Sequence, residues 1–135
     1  MTAKDTTTVP LFVNGEGMSD GSVHHSIDGL PFLGTARTAP RYRFFSVRDE
    51  FPALRPVDDG GVSVEGELYD VPLEVIRDRF IPAEPPELEL GVVELDDGRA
   101  ALVVLLRDDA YQVGEGLIDI SEHGGWRAYR AARMR

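Results

Sequence analysis

The chain has 135 residues, 42% of them hydrophobic, with 24 acidic against 14 basic side chains and a formal net charge of −10. That length suits one domain with a sizeable core, and the charge repels nucleic-acid backbones and anionic lipid head groups. No apolar run approaches the ~18 residues that span a bilayer, the opening MTAKDTTT lacks the apolar segment of a signal peptide, and the absence of cysteine removes disulfide and thiolate chemistry, so a cytoplasmic protein is expected.

Residues 1–9 are expected to form a flexible N-terminus and residues 10–135 a single domain. Residues 9–14 (VPLFVN) read as an apolar strand that runs into Gly15, Gly17 and Gly21. Their G-x-G-x-x-x-G spacing is one residue too long for a dinucleotide fingerprint, and no Lys-Ser or Lys-Thr pair follows, so a nucleotide is not expected. Residues 31–37 (PFLGTAR) and 41–48 (RYRFFSVR) read as strands. The Asp58-Asp59-Gly60-Gly61 cluster predicts a hairpin turn, and residues 62–69 alternate as a half-buried strand. Pro72 suits a first helical position, with Leu73, Ile76 and Phe80 as one apolar stripe. IPAEPPELELG is too proline-rich for a helix. Strands over residues 90–95 and 100–106 follow, joined by an Asp96-Asp97-Gly98 turn. Near the end Ser121 caps a short turn, and Trp126 and Tyr129, at i and i+3, read as packing residues. No fixed period repeats along the chain.

Several segments resemble, in chain order, motifs of the gamma-glutamylcyclotransferase-like family, whose members begin with an apolar strand, a short glycine-containing loop and then a helix. FVNGEGMSDG stands where that family has its Y-G-x-L type loop. FLGTARTAPRYRFFSV looks like its G-x-A-x-T-x-x-Y-R-L segment, FPAL like its Y-P-x-L, and VEGELYDVP like its G-E-L-Y-E-V. Within that superfamily IPAEPPELELGVVELDDGR, and above all DISEHGGWRAY, look closer to the C-terminal domain of allophanate hydrolase. The similarity covers residues 10 to 130.

The resemblance implies an α+β fold of the gamma-glutamylcyclotransferase-like kind, a small mixed β-barrel with short helices around a pocket for a small carboxylate-bearing amide. It also implies that the first loop, Asn14, Gly15, Glu16, Gly17 and Met18, grips the carboxylate end of a substrate. Successive N–H groups in a glycine loop at a helix start form a partly positive nest that suits such an anion. Otherwise the glycines only turn the chain. Glu16 argues against an anion there unless its side chain points away. A cyclotransferase further needs a carboxylate that takes a proton from the attacking amine and passes it to the leaving amine. Glu84 stands where the family pattern carries its catalytic Glu, stiffened by Pro82, Pro85 and Pro86. Glu87 takes that role if the prolines shift the register. Glu67, on the polar face of its strand, looks either into a cavity or out to solvent.

One departure concerns activity. The allophanate hydrolase domain carries in its first loop a histidine proposed to assist decarboxylation of an N-carboxylated intermediate, and Gly17 stands at that position here. His24 and His25, if helical, diverge by about 100° and cannot share a face. With His123 they have no H-x-x-x-H spacing and no cysteine to join them, so neither a metal nor a cofactor is expected, and no serine nucleophile motif appears. Arg41, Arg43 and Arg127 lie in matched motifs, where a guanidinium either binds a substrate carboxylate or pairs with the surplus acids. Tyr42 lends a hydroxyl to the cavity or packs. Two functions remain open. One is a cofactor-free enzyme acting on a small carboxylate-bearing amide or urea-derived compound by Glu acid/base chemistry, in nitrogen metabolism. The other is a noncatalytic small-molecule-binding or accessory subunit. The partners expected are a small carboxylate or amide, with a second copy of the chain (a homodimer) or an amidohydrolase as protein partner.

Overall fold

Leu11, Phe12 and Val13 are consecutive and all buried, a pattern that a strand satisfies only when covered on both faces. The computed structural model, which describes residues 7–19, 21 and 24–134, sets them in β1 (Thr8–Val13), at the middle of a mixed sheet. The expected flexible N-terminus therefore divides. Residues 1–6 lie outside the described residues, whereas Thr8 and Val9 already pair with Pro72 and Val71. The other strands are β2 (Phe32–Arg37), β3 (Tyr42–Val47), β4 (Phe51–Pro56), β5 (Glu65–Pro72), β6 (Leu88–Glu94), β7 (Ala100–Leu106) and β8 (Leu117–Asp119). They follow the order β2-β5-β1-β7-β4-β3-β8, with β6 on the far edge of β7.

β7 carries the topology. One of its edges is antiparallel to β6 along its whole length, from Leu88↔Leu106 to Glu94↔Ala100. The other edge is shared by two parallel neighbours, β1 at Leu11↔Leu102 and β4 at Leu54↔Leu105. Two strands cannot occupy one edge, so β1 and β4 splay apart. The sheet curls into a half-barrel with a fork at its centre, and the domain is α+β as expected. β4 was not legible as a strand because Pro52 removes a ladder donor. That proline sits at the fork, its ring turned toward Gly15, where β4 needs no donor.

Helices cover the curl. Pro72 ends β5, and residues 73–83 run as α1 (Leu73–Val75), a π turn (Ile76–Phe80) and a 3₁₀ turn (Ile81–Ala83). Ile76 and Phe80 are buried but Leu73 is exposed. The wider i→i+5 turn aligns positions four apart instead of the predicted stripe. α2 (Asp108–Val113), with Asp108 and Asp109 in its first turn and Gly114 at φ 71 after it, was missed because it buries none of its residues. α3 (Trp126–Arg133) closes the chain, with Trp126 and Tyr129 buried as packing residues. No helix among the described residues is long and apolar enough to cross a membrane.

Two local expectations change. Between β1 and β2 the described residues form no α-helix. The chain makes successive tight turns (Met18 N–H to Gly15 O, Gly21 N–H to Met18 O) and then a short 3₁₀ turn at His24–Ser26. The Gly60-Gly61 cluster turns the chain without making a hairpin, because β4 pairs with β3 and β7 while β5 pairs with β1 and β2. Gly66 on β5 allows that close approach to β1, since a Cβ there would lie 2.5 Å from both the Phe12 ring and the Val13 carbonyl. Gly66→Ala is expected to cost about 1–3 kcal/mol through overpacking, read as a lowered urea midpoint with an unchanged slope; an unchanged midpoint would mean that the two strands pack less tightly.

Candidate functional site

The fork leaves a pocket of about 120 Å³ between the end of β1, the start of β4 and the end of the helical segment. Phe12, Phe51, Phe80, Leu88 and Val104 give it apolar walls, and Asn14, the Gly15-Glu16-Gly17 backbone and Glu84 bring polar groups to them. This is the combination expected of a small-molecule site.

Local sequence aims Glu84. Its N–H donates to Ile81 O at 3.0 Å, the last bond of the 3₁₀ turn. Pro85 then excludes the helical region for the residue before it, and Glu84 is extended at φ −86, ψ 148. With both backbone ends fixed, Glu84 lines the pocket. It forms no hydrogen bond or ion pair among the described residues, and burial among apolar walls pushes its carboxyl up to about 7. A group so poised exchanges a proton readily near neutral pH.

Opposite Glu84 lies the first loop. Gly15 packs on Pro52, where a Cβ would lie 2.4 Å from the proline ring, and Gly17 lies beside Val13 and Phe80. Among the described residues neither glycine N–H finds a hydrogen-bond partner. The Asn14 side chain, 6% exposed, leaves its amide nitrogen unpartnered as well, an uncommon state for a buried donor. Met18 is core, its N–H spent on Gly15 O. Glu16 lines the pocket, but its Oε2 accepts from Trp126 Nε1 at 2.6 Å and from Arg130 at 3.3 Å. Its charge is thus drawn toward α3. His24 donates Nδ1–H to Gly17 O at 3.0 Å and holds the loop from behind.

The structure separates the three candidate carboxylates. Glu67, 4% exposed, lies outside the pocket and accepts from Ser19 N–H, Ser19 Oγ, Tyr69 OH and Arg127 Nη2. Burial would raise its carboxyl, but Arg127, Ser19 and Tyr69 outweigh that and hold it below the ordinary range, while Tyr69 is pushed up to about 12. Glu87 pairs with Arg48, which holds it low, and so ties the segment bearing Glu84 to the β3–β4 turn. The remaining sequence candidates also lie away from the pocket. Tyr42 is buried and its hydroxyl accepts from Glu94 N–H, Arg43 binds Asp119 and Gly60 O, and Arg41 pairs with Glu94.

Sequence reading missed Asp49 and Glu50. Arg48 and Asp49 are both left-handed, at φ 52 and 58. Asp49 is held by Ser46 Oγ, by Tyr129 OH at 2.6 Å and by Arg133, and Glu50 then reaches the pocket rim. The available signal was the spacing in WRAYRAAR, where Trp126 and Arg130, and likewise Tyr129 and Arg133, stand one turn apart.

A forked, curled sheet with short helices is the gamma-glutamylcyclotransferase-like fold. An AIG2-like protein of Mus musculus, 20% identical, shares it at TM-score 0.53 over 77% of this chain and 79% of its own. The allophanate hydrolase C-terminal domain family matches residues 9–131, and the chain belongs to that family. A protein specific to uropathogenic E. coli is 32% identical at TM-score 0.84, over 93% of this chain and 97% of its own. The allophanate hydrolase of Kluyveromyces lactis is 26% identical at TM-score 0.84, and the match covers 93% of this chain but 21% of that enzyme. No curated protein matches the chain.

The raised Glu84 carboxyl predicts a pH-dependent stability. Its folded value, about 7, exceeds the ordinary 4.5, so folding favours the neutral form. That contribution is present in full below the unfolded value and is lost as pH rises through the folded one. Glu84→Gln, permanently neutral, is expected to be more stable than the wild type by roughly 2–3 kcal/mol above about pH 7 and equal to it below about pH 4. Urea unfolding across that range measures the difference, and equal stabilities at about pH 8 would mean that water reaches Glu84 freely.

Proposed function

We propose that the pocket is the active site of a small cofactor-free enzyme and that Glu84 is its general acid/base, acting on a small carboxylate-bearing amide or urea-derived compound. The observation that carries this reading is a carboxylate, raised to about 7 and without a partner among the described residues, that shares an apolar-walled pocket with the Gly15 and Gly17 N–H groups, which have no partner among those residues either. The loop from Asn14 to Gly17 binds the substrate carboxylate through those N–H groups. For an amide substrate that carries its own amine, the Glu84 carboxylate takes a proton from that amine as its nitrogen bonds to the amide carbonyl carbon of the same molecule. It returns that proton to the leaving nitrogen as the old C–N bond breaks, so the enzyme ends as it began. Glu67 and Glu87 act through others: Glu67 fixes Ser19, beyond the loop, and Glu87 fixes the turn bearing Glu50.

A second reading, binding without turnover in an accessory subunit, is favoured by Gly17, which offers no side chain where the resembled domain carries a histidine. An amidohydrolase is the partner that reading implies, given that this chain matches about a fifth of an allophanate hydrolase.

Turnover separates the two. Glu84→Gln is expected to lower kcat by about 10²- to 10⁴-fold with little change in KM, and the wild-type kcat/KM should fall as pH drops below about 7, where the base protonates. Glu87→Gln should retain most activity. Glu67→Gln should lose about 1–3 kcal/mol of stability, because it weakens a charge-assisted network around Arg127. Undiminished turnover by Glu84→Gln would remove the acid/base assignment.

The loop is tested independently. Gly17→Val sets branched carbons against Val13 and Phe80, where a Cβ alone already lies 3.3 Å from Val13 Cγ1. It should weaken binding of a small carboxylate about tenfold or more while the fold survives, measured by titration and circular dichroism; unchanged affinity would mean that the loop does not hold the anion.

A further inference from the structure

The outer edge of β6 carries an unused stretch of backbone. Arg107 N–H donates to Glu87 O and Leu95 N–H to Arg99 O, so the odd-numbered residues between Glu87 and Leu95 face β7 and the even-numbered ones face away. Toward both ends the outward groups are spent: Leu88 N–H on Pro85 O, Glu94 N–H on the Tyr42 hydroxyl, and Glu94 O on Ala39 N–H. Between them, Leu90 and Val92 find no partner for N–H or C=O among the described residues, and neither does Leu88 O. The Leu90 and Val92 side chains are 45% and 61% exposed, on one face with the half-buried Leu88. Proteins usually blunt such an edge with a lysine, a proline or a bulge, and β6 pairs in unbroken register with none of them. Its acids do not take that role, because each faces an arginine of its own chain, Glu89 with Arg107 at 3.7 Å and Glu94 with Arg41 at 3.1 Å. The strip is locally neutral in a chain of net charge −10.

We infer that β6 pairs antiparallel with β6 of a second copy of this chain, with Leu90 on the two-fold axis and Leu88 opposite Val92 of the other copy. Two limits fix that register. Ala39 already occupies the edge beside Glu94, and the turn closed by Leu88 N–H on Pro85 O leads the chain away before Leu88. Centring on Leu90 ends each strand opposite Val92, short of Ala39, whereas centring on Gly91 would carry Leu88 onto it. A strand of unrelated sequence has no such turn at the required place. In the pair, Leu90 N–H donates to Leu90 O and Val92 N–H to Leu88 O, and the axis repeats both bonds. On the apolar face Leu90 meets Leu90 and Val92 meets Leu88. On the other face Glu89 meets Gly91, which has neither a side chain to crowd it nor a charge to repel it. The edge is short, so the dimer belongs to the weak class of interfaces.

Sedimentation equilibrium of the full chain from ~10 µM to ~1 mM tests this, with mostly monomer expected at the low end and mostly dimer at the high end. Amide hydrogen exchange locates the contact. Leu90 and Val92 should exchange several-fold more slowly in the concentrated sample, while Gly91, which faces Val103 on β7, should not change. Val92→Lys places an edge-blocking charge at an exposed position, and it should remain folded by circular dichroism and monomeric throughout. Register is read by cross-linking, because the chain has no cysteine of its own. Opposite residues of a hydrogen-bonded pair stand about 5.5 Å apart at Cα, within disulfide reach. Leu90→Cys should therefore link to a second copy of itself on air oxidation, and Val92→Cys, which stands opposite Leu88, should not. Three outcomes overturn the inference: a wild type still monomeric at ~1 mM, Val92→Lys associating as the wild type does, or Val92→Cys linking as fast as Leu90→Cys.

Discussion

Trp126 and Arg130, one turn apart on α3, both reach the Glu16 carboxylate, and Tyr129 and Arg133, again one turn apart, reach that of Asp49. One helix of eight residues therefore fastens both walls of the pocket. Arg127 on the same helix adds Glu67, and through it Ser19. The arrangement carries a conformational cost in the β3–β4 turn, because two consecutive residues with side chains sit in the left-handed region, of order 1–3 kcal/mol each. Asp49 offsets that cost with hydrogen bonds to Ser46 and Tyr129. Glu16 and Asp49 are thus held by donors that lie outside the pocket lining, and no cationic side chain among the described residues lines the pocket.

Glu84 and Glu87, three residues apart in one proline-rich segment, are driven in opposite directions. Glu87 meets Arg48 and is held ionised. Glu84 meets only apolar walls and is raised. Environments that push two carboxylates apart assign them different work: one binds the segment to its neighbour, the other remains available. The assignment follows from direction alone. Pro85 and the Ile81 carbonyl fix the backbone at Glu84, and the turn that follows places Glu87 against Arg48.

Sequence pattern revealed most of the sheet because its strands carry apolar alternation or, in β1, a short apolar run bounded by glycine. It failed where structure is set by neighbours distant in sequence. Pro52 argues against a strand until the fork removes the need for its N–H. α2 has acidic residues at its start and a glycine after its end but no apolar stripe. At the site, the chemistry of Glu84 was suggested by position and its proline flanks, whereas its desolvation depends on Phe12, Phe51 and Phe80 arriving from three other segments. Glu67 illustrates the opposite case. Strand alternation left its direction open, and the four donors that surround it come from residues 19, 69 and 127.

The fork in the sheet also bears on how the molecule comes together. Its two parallel joins, Leu11 with Leu102 and Leu54 with Leu105, link positions separated by most and by about a third of the chain. Each closes a long loop, whose entropy must be spent before the contact returns anything. A nucleus built from the β3–β4 and β6–β7 hairpins would therefore hold neither the loop nor a desolvated Glu84. The pocket at the fork exists only once both long-range pairings are made, which makes its walls a property of the completed fold.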